Sequence, residues 1–287
     1  MSLPVIKHPT FTTELTSVGK IKFRNFINAE HKSLLTAIEL GDSSSVFNTT
    51  LDIVDACTDN NVDASKLTEA ELEFLFLKIY IRSVQNKVEG QYKCHNLVEQ
   101  TPEFVEEAED LDVSDEVEFP KQTEANDEVT DELDSESEDY ELPLVECGND
   151  FKIIIPIDAA TVDYTENFNE SKVVKVSDDA ELHLRLPSAS EKHELSEMEE
   201  DEDVDIRVIF SYFDYTISLA ENVTTKQDDI TFEQFNDWFG TLSPESVEHI
   251  ILFIDNEPQL GYDFKIQCPK CLNEDVIRFR GMQSFFA

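Results

Sequence analysis

Positive charge is what this chain has least of: 22 Lys and Arg stand against 63 Asp and Glu in 287 residues, a formal net charge of −41. Phosphate backbones are bound by clustered cations, so nucleic acid is excluded as an expected partner. No run is long and apolar enough to span a bilayer, and the N-terminus has no basic stretch leading into an apolar one. A membrane role is therefore not expected, and the protein is expected to stay where it is made. Five cysteines in a chain of this length do not make a secreted disulfide scaffold. Also missing are a Gly-x-Ser-x-Gly elbow, a His-Glu-x-x-His pair and a phosphate-binding loop, while His8, His31, His95, His183, His193 and His249 form no local pattern. Neither catalysis nor a small-molecule substrate is expected.

What is present points to a folded body with acidic interruptions. Hydrophobic residues make up 40% of the chain, including 20 Phe, enough for a core. The negative charge is concentrated. Residues 97–146 hold 21 Asp or Glu against one Lys, and residues 191–205 hold nine against one Lys. Such segments cannot bury enough apolar surface to order themselves, so both read as solvated loops, the first as a disordered insertion or an arm for a basic partner. The expected organisation is an N-terminal unit, 1–96, the insertion, 97–146, and a C-terminal unit, 147–287, in an α+β fold.

The N-terminal unit opens with a strand pair, Phe11 to Leu15 and Ile21 to Phe23, turning at Gly19. Lys20, Lys22 and Arg24 make a local basic spot, read either as a solvated strand face or as a contact for an acidic partner. Three helices follow. Asn28 caps one over 29–40, a second covers 46–58 with Cys57 packed inward, and Thr68 with Glu71 has the pattern of a capping box for a third through Ile79. In the C-terminal unit, strands are expected around 151–155, 173–176 and 182–186. Residues 206–213 fit a helix or a strand, with the helix preferred. Thr231 and Ser243 then cap two further helices whose aromatic and aliphatic stripes read as core, with a partner groove as the alternative.

Four cysteines fall at the joints of this plan. Cys268-Pro269-Lys270-Cys271 lies between two short strand patterns, as in a hairpin whose turn presents both sulfurs to one ion. Cys94 and Cys147, 53 residues apart, flank the acidic insertion. Together they supply a tetrahedral thiolate set for one structural Zn that clasps the N-terminal and C-terminal parts. The rival readings are reduced structural cysteines without metal, and disulfide or redox chemistry at the Cys-x-x-Cys. Four thiolates leave no open position on Zn for an activated water, so the site predicts folding rather than turnover.

Leu15-Thr16-Ser17-Val18-Gly19-Lys20-Ile21-Lys22-Phe23-Arg24-Asn25-Phe26, then Glu30, Leu72 to Lys78, Ser83-Val84 and Tyr92-Lys93-Cys94 resemble the T4-like bacteriophage baseplate hub proteins and hub assembly chaperones. So do the closing Cys268 to Cys271, Gly281 and Phe285-Phe286. Two departures stand out: the family's first metal turn is compact, and Pro usually follows the Arg where Asn25 stands here. The resemblance implies a non-enzymatic factor that builds the central hub of a contractile tail with other tail or hub proteins. It would act in the host cytoplasm during assembly, or in the virion baseplate if it is a stable hub component. A metal- or thiol-dependent enzyme is the rival of a different class. Lys20, Lys22, Arg24, Met282, Phe285 and Phe286 are the candidate partner contacts, the last three also being candidates to pack on the metal hairpin.

Overall fold

The computed structural model describes residues 6–99, 144–164, 168–198 and 204–285, which divide into two compact units. The larger unit comprises Met1–Gly90, Ile154–Lys265 and Val276–Ala287, and the smaller comprises Gln91–Ile153 and Ile266–Asp275. This differs from the expected division at residues 96 and 147. Most of the C-terminal half belongs with the N-terminal helices, because Ala189 enters their core and its N–H donates to Leu67 O at 2.7 Å.

In the larger unit, β1 (Thr10–Leu15) and β2 (Gly19–Arg24) form an antiparallel pair with Phe11 opposite Phe23, their rings 5.7 Å apart. Their alternation sends Leu15, Ile21 and Phe23 inward. Helices α1 (Asn28–Leu40), α2 (Ser43–Cys57) and α3 (Glu69–Ser83) close over them, burying Leu34, Ile53, Val54, Leu72, Leu75 and Ile79 in one cluster. The first cap is not Asn28 but Ile27, whose N–H donates to the Glu30 carboxylate at 2.7 Å. Thr68 does cap α3, accepting from Glu71 N–H at 3.4 Å, but no capping box forms with the Thr68 N–H: the Glu71 carboxylate instead accepts from Thr68 Oγ1 at 3.3 Å, from Ser17 N–H at 2.9 Å and from Ser17 Oγ at 2.7 Å. A local capping pattern has been recruited to tie the β1–β2 turn to the helices.

A second cluster lies in the same unit under a four-stranded antiparallel sheet, in order β11 (Val223–Lys226), β10 (Phe213–Ser218), β9 (Ala180–Arg185), β8 (Ser171–Ser177). Leu182, Leu184 and Phe213 meet α5 (Val204–Tyr212), α6 (Phe232–Phe239) and α7 (Pro244–Asp255) there. The stretch 206–213 is thus helix to Tyr212 and strand from Phe213. Residues 191–196, expected to be loop, lie in α4 (Ala189–Ser196). Its start is fixed by reciprocal bonds between Ser188 and Glu191, and Arg185 pairs with the same carboxylate. An acid that is capped and paired no longer argues for a loop.

Of five further strands, β7 (Thr161–Asp163) belongs to the larger unit, while β3 (Lys87–Lys93), β6 (Asp150–Pro156), β12 (Gln259–Gln267) and β13 (Glu274–Arg280) each run from one unit into the other; β3 neighbours β6, and β12 lies between β7 and β13. The ends of the acidic segment are ordered, β4 (Leu97–Glu99) pairing antiparallel with β5 (Leu144–Glu146). The intervening 100–143, and with them most of the expected disordered insertion, lie outside the described residues. No described helix is long and apolar enough to cross a membrane.

Candidate metal centre

Each cysteine of the smaller unit sits where a strand stops. Cys94 follows β3, Cys147 lies between β5 and β6, and Cys268 and Cys271 occupy the connection between β12 and β13. There the backbone abandons its ladders and must turn. Gly148, at φ 61°, and Leu272, at φ 60°, supply the left-handed residues that the turns need. Tyr92 and Phe151 pack beside the sulfurs, their rings 5.6 Å apart, and Tyr92 Oη donates to the Asp275 carboxylate.

The four sulfurs converge, with all four Sγ atoms within 4.8 Å of one another. Cys94 Sγ lies 3.6 Å from Cys271 Sγ, and Cys147 Sγ lies 3.8 Å from Cys268 Sγ. Four thiolates at ~2.3 Å from a tetrahedral Zn would stand ~3.8 Å apart, so the set has the dimensions of such a site. A disulfide needs sulfurs at about 2.05 Å, and all four cysteines are free. Cys94, Cys147 and Cys268 are buried and Cys271 is half-buried, which leaves little room for water at the centre.

The polar surroundings suit thiolates. Asn96 Nδ2 lies 3.8 Å from Cys271 Sγ, and Asn149 Nδ2 lies 3.7 Å from Cys268 Sγ. Burial pushes the Cys94 thiol up to about 12, against the opposing donor from Asn96 N–H, and burial likewise raises Cys147. At Cys268 burial acts in the same upward direction but is outweighed by the N–H groups of Cys271 and Lys270 and by the Asn149 amide, leaving its thiol at about 6. The fold thus readies one thiolate, and a divalent cation is the natural partner for the deprotonated forms of the rest. Donor type, spacing and burial all fit Zn, held by Cys94, Cys147, Cys268 and Cys271, whose chemistry there would be structural cross-linking.

Cys57 is elsewhere, in the helical core of the larger unit. Burial first, then the Glu30 charge, pushes its thiol up to about 12. His95 stands at the surface, 3.6 Å from Glu146, rather than among the ligands.

The expected basic spot is divided. Lys20 and Lys22 are exposed, with Lys20 opposite Glu14, whereas Arg24 turns inward to grip Glu30 at 2.6 and 2.9 Å and Ala56 O at 3.1 Å. At the other end, Met282 packs on the helical core with its N–H on Glu73 at 2.9 Å, and Phe285 is buried against Phe279. Both belong to the larger unit. Phe286 lies outside the described residues. Sequence reasoning did not single out Asn96, Asn149, Gly148 or Leu272, although each adjoins a cysteine or follows one by two positions.

Residues 8–287 match the model of a family described as T4 bacteriophage base plate protein, and the chain belongs to that family. No curated protein and no solved structure matches it.

Proposed function

We propose that this member of the T4 base-plate family is a non-enzymatic assembly factor for the central hub of the baseplate, built around one structural Zn in its four-cysteine site. Family membership across residues 8–287 carries the reading: such a chain works with other tail or baseplate proteins. The thiol site supports the non-enzymatic part, since a Zn saturated by four cysteines offers no position for substrate or water. In this reading the protein acts in the host cytoplasm while tails are being built, and its partners are proteins, not nucleic acid, membrane or a metabolite. The charge of −41 argues against the nucleic acid.

The test is twofold. Quantitative mass spectrometry of purified mature virions against lysates separates a released factor, abundant in lysate and lacking from particles, from a stable hub component present at fixed stoichiometry. Loss of hub assembly when the gene is silenced is expected in both cases; normal particles without the protein would sink both. Elemental analysis of protein purified without added metal is expected to give about one Zn per chain, lost in Cys94→Ser, Cys147→Ser, Cys268→Ser and Cys271→Ser. A folded, metal-free parent would overturn the Zn site.

A further inference from the structure

The two halves of the thiol site are the same piece of backbone, one continuous and one cut. In the continuous half, Cys268-Pro269-Lys270-Cys271-Leu272-Asn273 begins directly after β12 and ends directly before β13. Cys268 N–H donates to Asn273 O at 2.9 Å, and Leu272 N–H donates to Cys268 O at 2.9 Å, with Leu272 at φ 60°. In the other half, Cys94-His95-Asn96 begins directly after β3, and Cys147-Gly148-Asn149 ends directly before β6. Cys94 N–H donates to Asn149 O at 3.0 Å, and Gly148 N–H donates to Cys94 O at 3.0 Å, with Gly148 at φ 61°. In each half the first sulfur accepts from the N–H two residues on, Asn96 or Lys270.

Order, these three hydrogen bonds and the left-handed residue therefore coincide when Cys-His-Asn plus Cys-Gly-Asn is laid on Cys-Pro-Lys-Cys-Leu-Asn; the halves part at the fourth residue, where Cys271 N–H donates to the Cys268 sulfur and Cys147 N–H to Asn96 O. The cut falls between Asn96 and Cys147, where Cys147 N–H donates to Asn96 O at 2.8 Å. We infer that residues 97–146 are an insertion into a single peptide bond of a Cys-x-x-Cys-x-Asn knuckle, and that the Cys147–Asn96 hydrogen bond stands in for that peptide. Composition marks 97–146 as foreign, but the hydrogen bonds fix the point of entry to one link of the chain.

The physics of the junction explains how a metal turn tolerates it. Leu97 pairs with Glu146, Val98 with Val145 and Glu99 with Leu144, so the inserted chain leaves and returns as adjacent strands. Its ends are already together, and the closure entropy of what lies beyond grows only slowly with length. The side-chain amides of Asn96 and Asn149 each reach a thiol of the continuous knuckle, which ties the cut half to the whole one. They are positioning residues for the ligand set.

The inference rests on the Zn reading for its purpose and on backbone geometry for its placement, and one experiment separates the two. Residues 97–146 are excised from the full chain, joining Asn96 to Cys147, and Co(II) binding and amide hydrogen exchange are measured in parent and variant. The expected result is a Co(II) thiolate spectrum of parental intensity and position, with the Gly148 and Leu272 amides as protected as in the parent. A second excision that keeps Leu97, spacing the cysteines by three residues instead of two, is expected to bind Co(II) about tenfold or more weakly. Equal binding by the two excisions overturns the inference, as does loss of Gly148 protection both in the direct excision and in a variant carrying a short Gly-Ser linker at the same junction. Protected knuckles in all correctly spaced forms without Co(II) binding would support the insertion and reject the metal.

Discussion

The larger body buries Leu75, Ile79, Leu182, Leu184, Phe213, Phe235 and Ile250 almost completely, in two apolar clusters fed by helices and sheet. Among its described residues the smaller body buries, besides Ile153 and Ile266, chiefly sulfur: Cys94, Cys147 and Cys268, with Tyr92, Val98 and Phe151 at their edge. Apolar transfer stabilises the first in proportion to the area removed from water. The strand ends described around the sulfurs bury little such area, which is the situation in which small folds use a staple. The difference teaches where the proposed metal would matter: it would stand in for apolar burial that the described residues around the sulfurs supply only sparsely.

The largest way to break this contrast is to remove the staple. Chelation, or Cys268→Ser, is expected to unfold the smaller body, since structural Zn contributes on the order of 10 kcal/mol to such sites. Amide exchange at Cys94 and Gly148 should collapse while protection at Leu75 and Ile250 persists. Simultaneous loss of both sets would show that the two bodies do not differ as argued.

The converse perturbation is Leu75→Ala, which opens a cavity at a fully buried position and should cost about 3 kcal/mol. Thermal melting should drop while metal content per chain stays at the parental level. Metal loss on this substitution would break the contrast from the other side.

In the larger body the stability depends on pH through Glu73. Burial, together with the Glu69 charge and against the Met282 N–H, raises Glu73 from 4.5 to about 7. A carboxyl with a higher folded than unfolded pKa binds more protons when folded, so its stabilising share is complete below pH 4.5 and is lost as pH rises through about 7. Glu73→Gln should flatten that loss and raise stability at pH 8 by about 2 kcal/mol, read from denaturant midpoints across pH. An unchanged pH profile would remove Glu73 from the account.

The smallest effect sharpens the picture of the knuckle. Leu272 holds a left-handed conformation that favours glycine, and its side chain is 66% exposed, so little packing is lost with it. Leu272→Gly is expected to stabilise the metal-loaded turn by up to about 1 kcal/mol, and Gly148→Leu to destabilise the cut one by a similar amount. Urea titration of exchange at the two turns would measure both; a destabilising Leu272→Gly would mean that the side chain has a contact to lose.

Much of the fold was legible because its signals are local. Alternation around Phe11 to Leu15, the helical stripe of Leu72, Leu75 and Ile79, and the caps at Thr68, Thr231 and Ser243 each sit within one element, and each element forms. The misreadings share a cause. Asn28 lost the cap because Arg24 fixes Glu30 to receive the Ile27 N–H, and residues 191–196 are helical because Arg185 and Ser188 satisfy Glu191. Long-range partners outvoted local charge and propensity. At the candidate site the four cysteines were legible as thiols of a common type, while Asn96 and Asn149 were not, because an amide becomes a thiolate donor only when another strand delivers the sulfur.

By itself the sequence determined the chemistry available: excess negative charge, apolar periodicity for helices and strands, four cysteines at strand ends, and the Cys-x-x-Cys of one compact turn. Tertiary structure alone decided that Cys94 and Cys147 make a second copy of that turn. The acidic composition of 97–146 marked the two cysteines as flanking an insertion, but nothing in the chain fixed the hydrogen bonds that join them. They meet only because β3 and β6 pair, and β4 pairs with β5, holding Asn96 and Cys147 at hydrogen-bond distance.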